Sequence, residues 1–248
     1  MAAAPDISLV IPVHNGERFI AQAVRSAQRQ TPTPAEIIIV DDGSTDGTAT
    51  VTTALAGVRY VHQAKGGPAA ARNHGVRLAR GELLGFLDAD DRWTEDKTAV
   101  QLKLLEQEPA TEIVIGHSQR VILTEWRGDE PVYRSVGEPV FYLHLGSALF
   151  RRPAFDRVGY FDERLAMGED VDWYLRAKEL GVRIRFHREV TQYYLKHESN
   201  VTLQRDETNR FLVRAFKRSL DRRRESAQDA AVPLGDWSEE TRWLREPP

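Results

Sequence analysis

The chain has 248 residues, 41% of them hydrophobic and 29% charged, with a net charge of −3. That balance describes a globular α/β protein of one large or two small domains and gives no reason to invoke a nucleic-acid partner. There is no cysteine, which excludes disulfides, cysteine-ligated metal sites and thiol nucleophiles. The opening residues, Met1-Ala2-Ala3-Ala4-Pro5-Asp6, lack the basic start and apolar core of a signal peptide, and no apolar run approaches the ~18 residues that cross a bilayer. A cytoplasmic location is expected, with attachment at the inner membrane surface left open.

Short apolar runs alternate with amphipathic segments through the first half, the pattern of βα units on a mainly parallel sheet. Ile7 to Val13 reads as the first strand. Apolar residues at Phe19, Ile20, Ala23, Val24 and Ala27 predict a helix over Glu17 to Gln30, stopped by Thr31-Pro32-Thr33-Pro34. Ile37-Ile38-Ile39-Val40 is apolar on both faces, as in the centre of a covered sheet. A helix over Gly47 to Ala56, a strand over Val58 to His62, a helix over Pro68 to Leu78 and a strand over Leu83 to Leu87 follow. A helix over Lys97 to Glu108 and a strand over Ile113 to His117 close this half.

The rhythm changes after Ser118. Thr124 to Pro139 is rich in Gly, Pro and charge and reads as a long loop. Glu169 to Leu180 is a helix, with Gly181 at its end. Two β-like runs follow, Arg183 to Phe186 and Val190 to Leu195. Thr208 to Leu220 is a basic amphipathic helix with Phe211, Leu212, Ala215, Phe216 and Leu220 on one side, and the tail beyond reads as loosely ordered. That helix suits docking on its own domain, pairing of two subunits, or contact with an anionic membrane.

Polar clusters follow the strands, where α/β sheets bind ligands. Asp88-Ala89-Asp90-Asp91 closes the run Leu83-Leu84-Gly85-Phe86-Leu87. Side chains two apart in a strand project to one face, so Asp88 and Asp90 are expected to point the same way, and two crowded carboxylates call for a hard cation such as Mg²⁺ or Mn²⁺, which in turn favours phosphate oxygens. An acidic turn is the plain alternative. Asp42 could accept from a base or ribose, or Asp41 to Gly47 could simply build an Asx turn and helix cap. Lys65-Gly66-Gly67-Pro68 has the character of an anion-receiving helix start. Glu169, Asp170 and Asp172 suit the first turn of a helix whether or not they do chemistry. Trp93 and Trp173 are candidates for a sugar pocket or for the core.

Together these segments resemble the family 2 glycosyltransferases, inverting sugar-nucleotide enzymes of the GT-A fold. The resemblance is carried by Ile11-Pro12-Val13-His14-Asn15, by Ile38-Ile39-Val40-Asp41-Asp42-Gly43-Ser44-Thr45-Asp46, and by Gly66-Gly67-Pro68-Ala69-Ala70-Ala71-Arg72-Asn73. Asp88-Ala89-Asp90 stands at the place of the family's DxD motif, Glu169-Asp170 at that of its catalytic carboxylate, and Tyr194-Leu195-Lys196-His197 resembles a later segment. It extends from Ile7 to Val201.

The resemblance implies a single Rossmann-like α/β domain with a mainly parallel central sheet and a C-terminal helical extension. Residues 1–117 would bind the nucleotide sugar, 118–204 the acceptor, and 205–248 form the basic helix and tail. Asp42 would bind the base, Asp88 the sugar or ribose, and Asp90 with His197 a Mn²⁺ or Mg²⁺ ion. Pro12, Val13, Asn15, Gly67, Arg72, Asn73 and Ala89 would line the donor, and Asp170, beside Glu169, would be the general base. The implied donor is a UDP-sugar and the acceptor a saccharide or other hydroxyl. A nucleotidyltransferase that makes sugar nucleotides and a non-catalytic binder of the same fold are the competing readings. The loop Val13-His14-Asn15-Gly16-Glu17-Arg18 lacks the Gly-rich basic character of the former, and the presence of Asp88, Asp90 and Asp170 favours catalysis over the latter.

Overall fold

Strands whose residues are apolar on both faces can be buried only between two layers of helices. In the computed structural model, which describes residues 6–128, 130–197 and 205–225, β1 (Ile7–Val13), β2 (Glu36–Asp42), β3 (Arg59–Gln63) and β4 (Leu83–Phe86) obey that rule. They lie parallel in the order β3-β2-β1-β4. Successive side chains alternate between the two layers. Leu9, Ile11, Ile37 and Ile39 pack on α1 (Ile20–Gln28), while Val10, Ile38 and Val40 face α3 (Pro68–Leu78).

Beyond β4 the sheet turns mixed. β8 (Ala148–Arg151) runs antiparallel between β4 and β6 (Ile113–Arg127), and β9 (Ile184–Lys196) pairs parallel with β6. The two-residue β5 (Arg92–Trp93) closes the edge against β9. α2 (Thr48–Thr53), α4 (Lys97–Gln107), α5 (Arg152–Val158) and α6 (Glu169–Glu179) complete the cover. An aromatic cluster of Phe86, Phe150, Phe155, Phe161 and Trp173 seals α5 and α6 to the sheet. Trp173 is therefore core, and Trp93 is buried as well, its Nε1 donating to the Gly146 carbonyl at 3.0 Å.

Two expectations from the sequence need correction here. Thr124 to Pro139 is not a loop: β6 runs on to Arg127 and turns at Gly128 (φ 62°) into β7 (Glu130–Ser135). Ladder pairing from Val121↔Ser135 to Arg127↔Glu130 satisfies backbone groups that a loop would leave to water. The runs at Arg183 and Val190 are one strand, β9, interrupted by irregular register opposite His117.

The terminal helix, α7 (Arg205–Glu225), does dock, but not through its large apolar residues. Ala215 and Ser219 face inward, and Arg222 clamps Asp172 at 2.9 Å and Glu179 at 2.8 Å on α6. Val213, Phe216 and Leu220 face outward. The side chains of Phe211 and Leu212, and the tail from 226, lie outside the described residues.

Gly75 sets how closely α3 sits on β1, because a Cβ there would stand 2.2 Å from Val10 Cγ1. Helix propensity favours Gly→Ala by about 1 kcal/mol, whereas forced overpacking costs about 1–3 kcal/mol. Gly75→Ala is thus expected to lower the urea midpoint, against the propensity rule.

Candidate active site

The loops at the carboxyl ends of β1 and β2 are stitched to each other. Asn15, held at φ 53°, donates its N–H to Ser44 Oγ at 2.9 Å and receives the Thr45 N–H on Oδ1 at 2.8 Å. Asp41 accepts the Ser44 N–H at 2.8 Å and the Tyr60 hydroxyl at 2.7 Å, and Asp46 accepts the Thr48 N–H at 3.0 Å. The turn-and-cap reading of this acidic segment is realised by Asp41 and Asp46. Pro12 and Val13 end β1 beneath it.

Asp42 is buried, and its carboxylate accepts from Gly66 N–H at 2.7 Å, Gly67 N–H at 2.8 Å and Gln63 Nε2 at 2.8 Å. The anion received at the start of α3 is thus the protein's own. Gly67 reaches this geometry at φ 91°, where L-residues are strained. Asn73, sought as a donor contact, is buried and spends its amide on the Phe161 carbonyl at 2.9 Å and Glu163 at 2.8 Å. Its part here is to hold the 161–163 segment against α3.

Arg72, one residue earlier on α3, is the node of the site. Its Nη2 donates to Asp88 Oδ1 at 2.7 Å and its Nη1 pairs closely with Glu169 at the start of α6. Burial opposes the cation, but Asp88 and Glu169 overcome it and hold the Arg72 pKa above its ordinary value. Its Nε–H is buried without a partner among the described residues. The neighbouring Asp170 is partly exposed and accepts only the Val171 N–H, at 2.7 Å, among the bonds resolved for its side chain. Burial outweighs Arg72 and raises the Asp170 pKa; Glu169 is raised for the same reason, with Asp170's charge adding to it.

The strand-face argument for the acidic triplet fails, because β4 stops at Phe86 and Asp88 to Asp91 form a turn with Asp91 N–H on the Asp88 carbonyl at 3.0 Å. The acids part company. Asp88 turns to Arg72, while Asp90 Oδ2 meets His197 Nε2 at 2.8 Å. Asp91 is buried, accepts the Leu195 N–H at 2.9 Å and Gln192 Nε2, and has its pKa pushed well up by burial and by Asp90 and Asp88. Ala89 packs beside the α1 core cluster. Among the described residues no three His, Asp or Glu side chains converge as a ready metal site, so Asp90 and His197 stand as a pair.

One residue escaped the sequence reading. His144 lies within the field of Asp88 and Arg72, stacked against Tyr142 at 4.9 Å, with Nδ1 buried and unpartnered among the described residues. Burial lowers its pKa despite Asp88 and a hydrogen bond with Gln192, and so favours the neutral ring. A lone His in an irregular segment carries no periodicity to reveal it.

The family profile described as "Glycosyl transferase family 2" matches residues 8–159. EpsJ of Bacillus subtilis, an uncharacterized glycosyltransferase, is 29% identical over 80% of this chain and 63% of its own length. The succinoglycan biosynthesis protein ExoU of Rhizobium meliloti is 32% identical over 74% of this chain and 60% of its own. The chain thus spans about three fifths of these curated relatives. Among solved structures, S. aureus TarS 1–349 in complex with UDP-GlcNAc is 18% identical with a TM-score of 0.65, over 97% of this chain and 79% of that one. The mannosyltransferase PcManGT of Pyrobaculum calidifontis, in complex with GDP-Man and Mn²⁺, is 19% identical with a TM-score of 0.70, over 94% and 67%. At such identities these structures establish a shared fold of the GT-A type.

Removing Arg72 would strand the buried Glu169 charge, a loss of about 3–5 kcal/mol. Arg72→Met is therefore expected to lower unfolding free energy by that amount at pH 7. The deficit should shrink at lower pH, where Glu169 takes a proton, and in the double variant Arg72→Met/Glu169→Gln. Urea titrations of the three proteins check it.

Proposed function

The chain belongs to glycosyl transferase family 2, and from that membership we propose that it moves a sugar from a nucleoside diphosphate donor to an acceptor hydroxyl in one inverting displacement. The observation that carries this reading is the Arg72 bridge, which ties the Asp88 turn to the Glu169–Asp170 pair across two otherwise separate segments. The donor would lie over the loops after β1, β2 and β4, with the Asn15, Asp42 and Gly67 segments shaping the nucleotide end. Asp88, its side chain half exposed, would meet the sugar or ribose with the carboxylate oxygen that Arg72 leaves free.

Asp90 and His197 suit a divalent cation. Their ligand atoms stand 2.8 Å apart, close to the about 3 Å that separates adjacent ligands around an ion bound at ~2.1 Å. An oxygen and a nitrogen ligand with open coordination positions fit Mn²⁺ or Mg²⁺ shared with a diphosphate. Such an ion supplies positive charge to the departing diphosphate. The nucleotide sugars bound by TarS and PcManGT, and the Mn²⁺ bound by the latter, support this assignment, and UDP is the nucleotide we favour.

Inversion requires a base on the face opposite the leaving group. Asp170 is our choice: it is partly exposed, lightly hydrogen-bonded, and made more basic by burial than an ordinary aspartate. Glu169 keeps Arg72 in place and is too enclosed for the same task. The acceptor would enter past the 118–164 segment, where His144 offers a neutral ring to a hydroxyl. On α7, the outward Val213, Phe216 and Leu220 with Lys217 and Arg224 alongside suit contact with an anionic membrane.

Asp90→Ala is expected to weaken Mn²⁺-dependent UDP binding at least tenfold by calorimetry. Asp170→Asn should bind UDP normally yet lose about 10²–10⁴-fold in transfer rate; undiminished transfer would remove Asp170 as base. Because the ionised form must act and burial raises its pKa, the acid limb of kcat/KM should fall above 3.8, the ordinary aspartate value.

A further inference from the structure

A cleft of about 640 Å³ lies between α1 and β7, floored by β5 and β9. It includes none of Asp42, Arg72, Asp88, Asp90, Glu169, Asp170 or His197. Its floor carries Arg92, whose guanidinium carbon sits 3.8 Å from the centroid of Tyr133 and 5.2 Å from that of Tyr193. Tyr133 is fixed in turn by its hydroxyl, which donates to Gln22 Oε1 on α1 at 2.7 Å.

A guanidinium offers five N–H donors. Those of Arg92 make no hydrogen bond and no ion pair among the described residues; its contacts are the two tyrosine rings. The aromatic faces stabilise the cation but leave its edge unsatisfied.

Arg25 and Arg29 project from α1 into the same cleft. Arg25 reaches Glu130 only at 3.8 Å, with both side chains largely exposed. The other acids of the wall do not answer Arg92: Glu189 is bonded to His187 at 2.8 Å, and Glu95 and Asp96 are exposed. The polar supply is therefore cationic at the floor, with room for a ligand above it.

We propose that this cleft is a second ligand site, separate from the donor site, that takes an oxyanion, a carboxylate or phosphate group, on the edge of Arg92 with Arg29 as a supporting charge. Two oxygens of a carboxylate or of a phosphate match the guanidinium fork in a paired geometry that a neutral hydroxyl does not reproduce. A sugar-borne carboxylate and a free phosphate share this chemistry. The site does not depend on the catalytic reading above.

Calorimetric titration of the full chain with sodium glucuronate, inorganic phosphate and, as a neutral counterpart, glucose tests it. Saturable binding of at least one oxyanion and none of glucose is expected, weakened at least tenfold by Arg92→Gln. The exposed Arg29→Gln, which carries little folding risk, should weaken it severalfold. Tighter glucuronate would assign the site to an acidic saccharide, and tighter phosphate to the free anion. Absence of saturable oxyanion binding, or equal binding by wild type and both variants, overturns the proposal.

Discussion

One guanidinium holds the candidate site together. Arg72 leaves α3 between the turn after β4 and the first turn of α6, and its pairing with Asp88 and Glu169 fixes two acidic segments 81 residues apart in sequence. Without a cation between them, Asp88, Glu169 and Asp170 would repel one another in a poorly solvated place. The same cation limits what each acid can do. Asp88 is partly neutralised, Glu169 is committed to the bridge, and Asp170, beside but not bonded to it, keeps a raised pKa and an exposed edge. The division of labour between adjacent acids thus follows from where one arginine points.

The parallel half of the sheet was legible because burial on both faces leaves an unmistakable trace. Ile37-Ile38-Ile39-Val40 can be little else than a central strand, and α3 has the predicted bounds, Pro68–Leu78, because Pro suits the first helical position. The antiparallel half was harder. β8 and α5 are four and seven residues long, with no period to measure. The β6–β7 hairpin hid behind Gly, Pro and charged residues because its outer face meets water, although Gly128 marked its turn.

The site was legible by residue type but not by direction. The acidic triplet was found, yet its strand face does not exist, since β4 ends at Phe86 and the turn from Asp88 to Asp91 sends each carboxylate to a different partner. Asp42 and Asn73, singled out as ligand contacts, carry internal hydrogen bonds in the structure. Sequence pattern reports which groups are near a strand end; it does not report whether a neighbouring backbone N–H will claim them first. Gly66 and Gly67 claim Asp42 because two consecutive N–H groups converge on one carboxylate, an arrangement set by the Gly67 backbone and invisible in spacing.

β9 joins the two regions of interest while keeping them apart. Opposite β5, Tyr193 stands beside Arg92 and Gln192 beside Trp93. Side chains two positions apart share a face and neighbours do not, so Tyr193 lines the cleft while Gln192 turns the other way and holds Asp91. Four residues after Tyr193 the strand has delivered His197 to Asp90. An occupant on Arg92 would therefore share a rigid strand with the candidate metal pair without sharing a ligand atom. Alternation alone does not part the two regions, since Tyr193 and His197 are an even number of positions apart; an influence of one on the other would pass through the position of β9 itself.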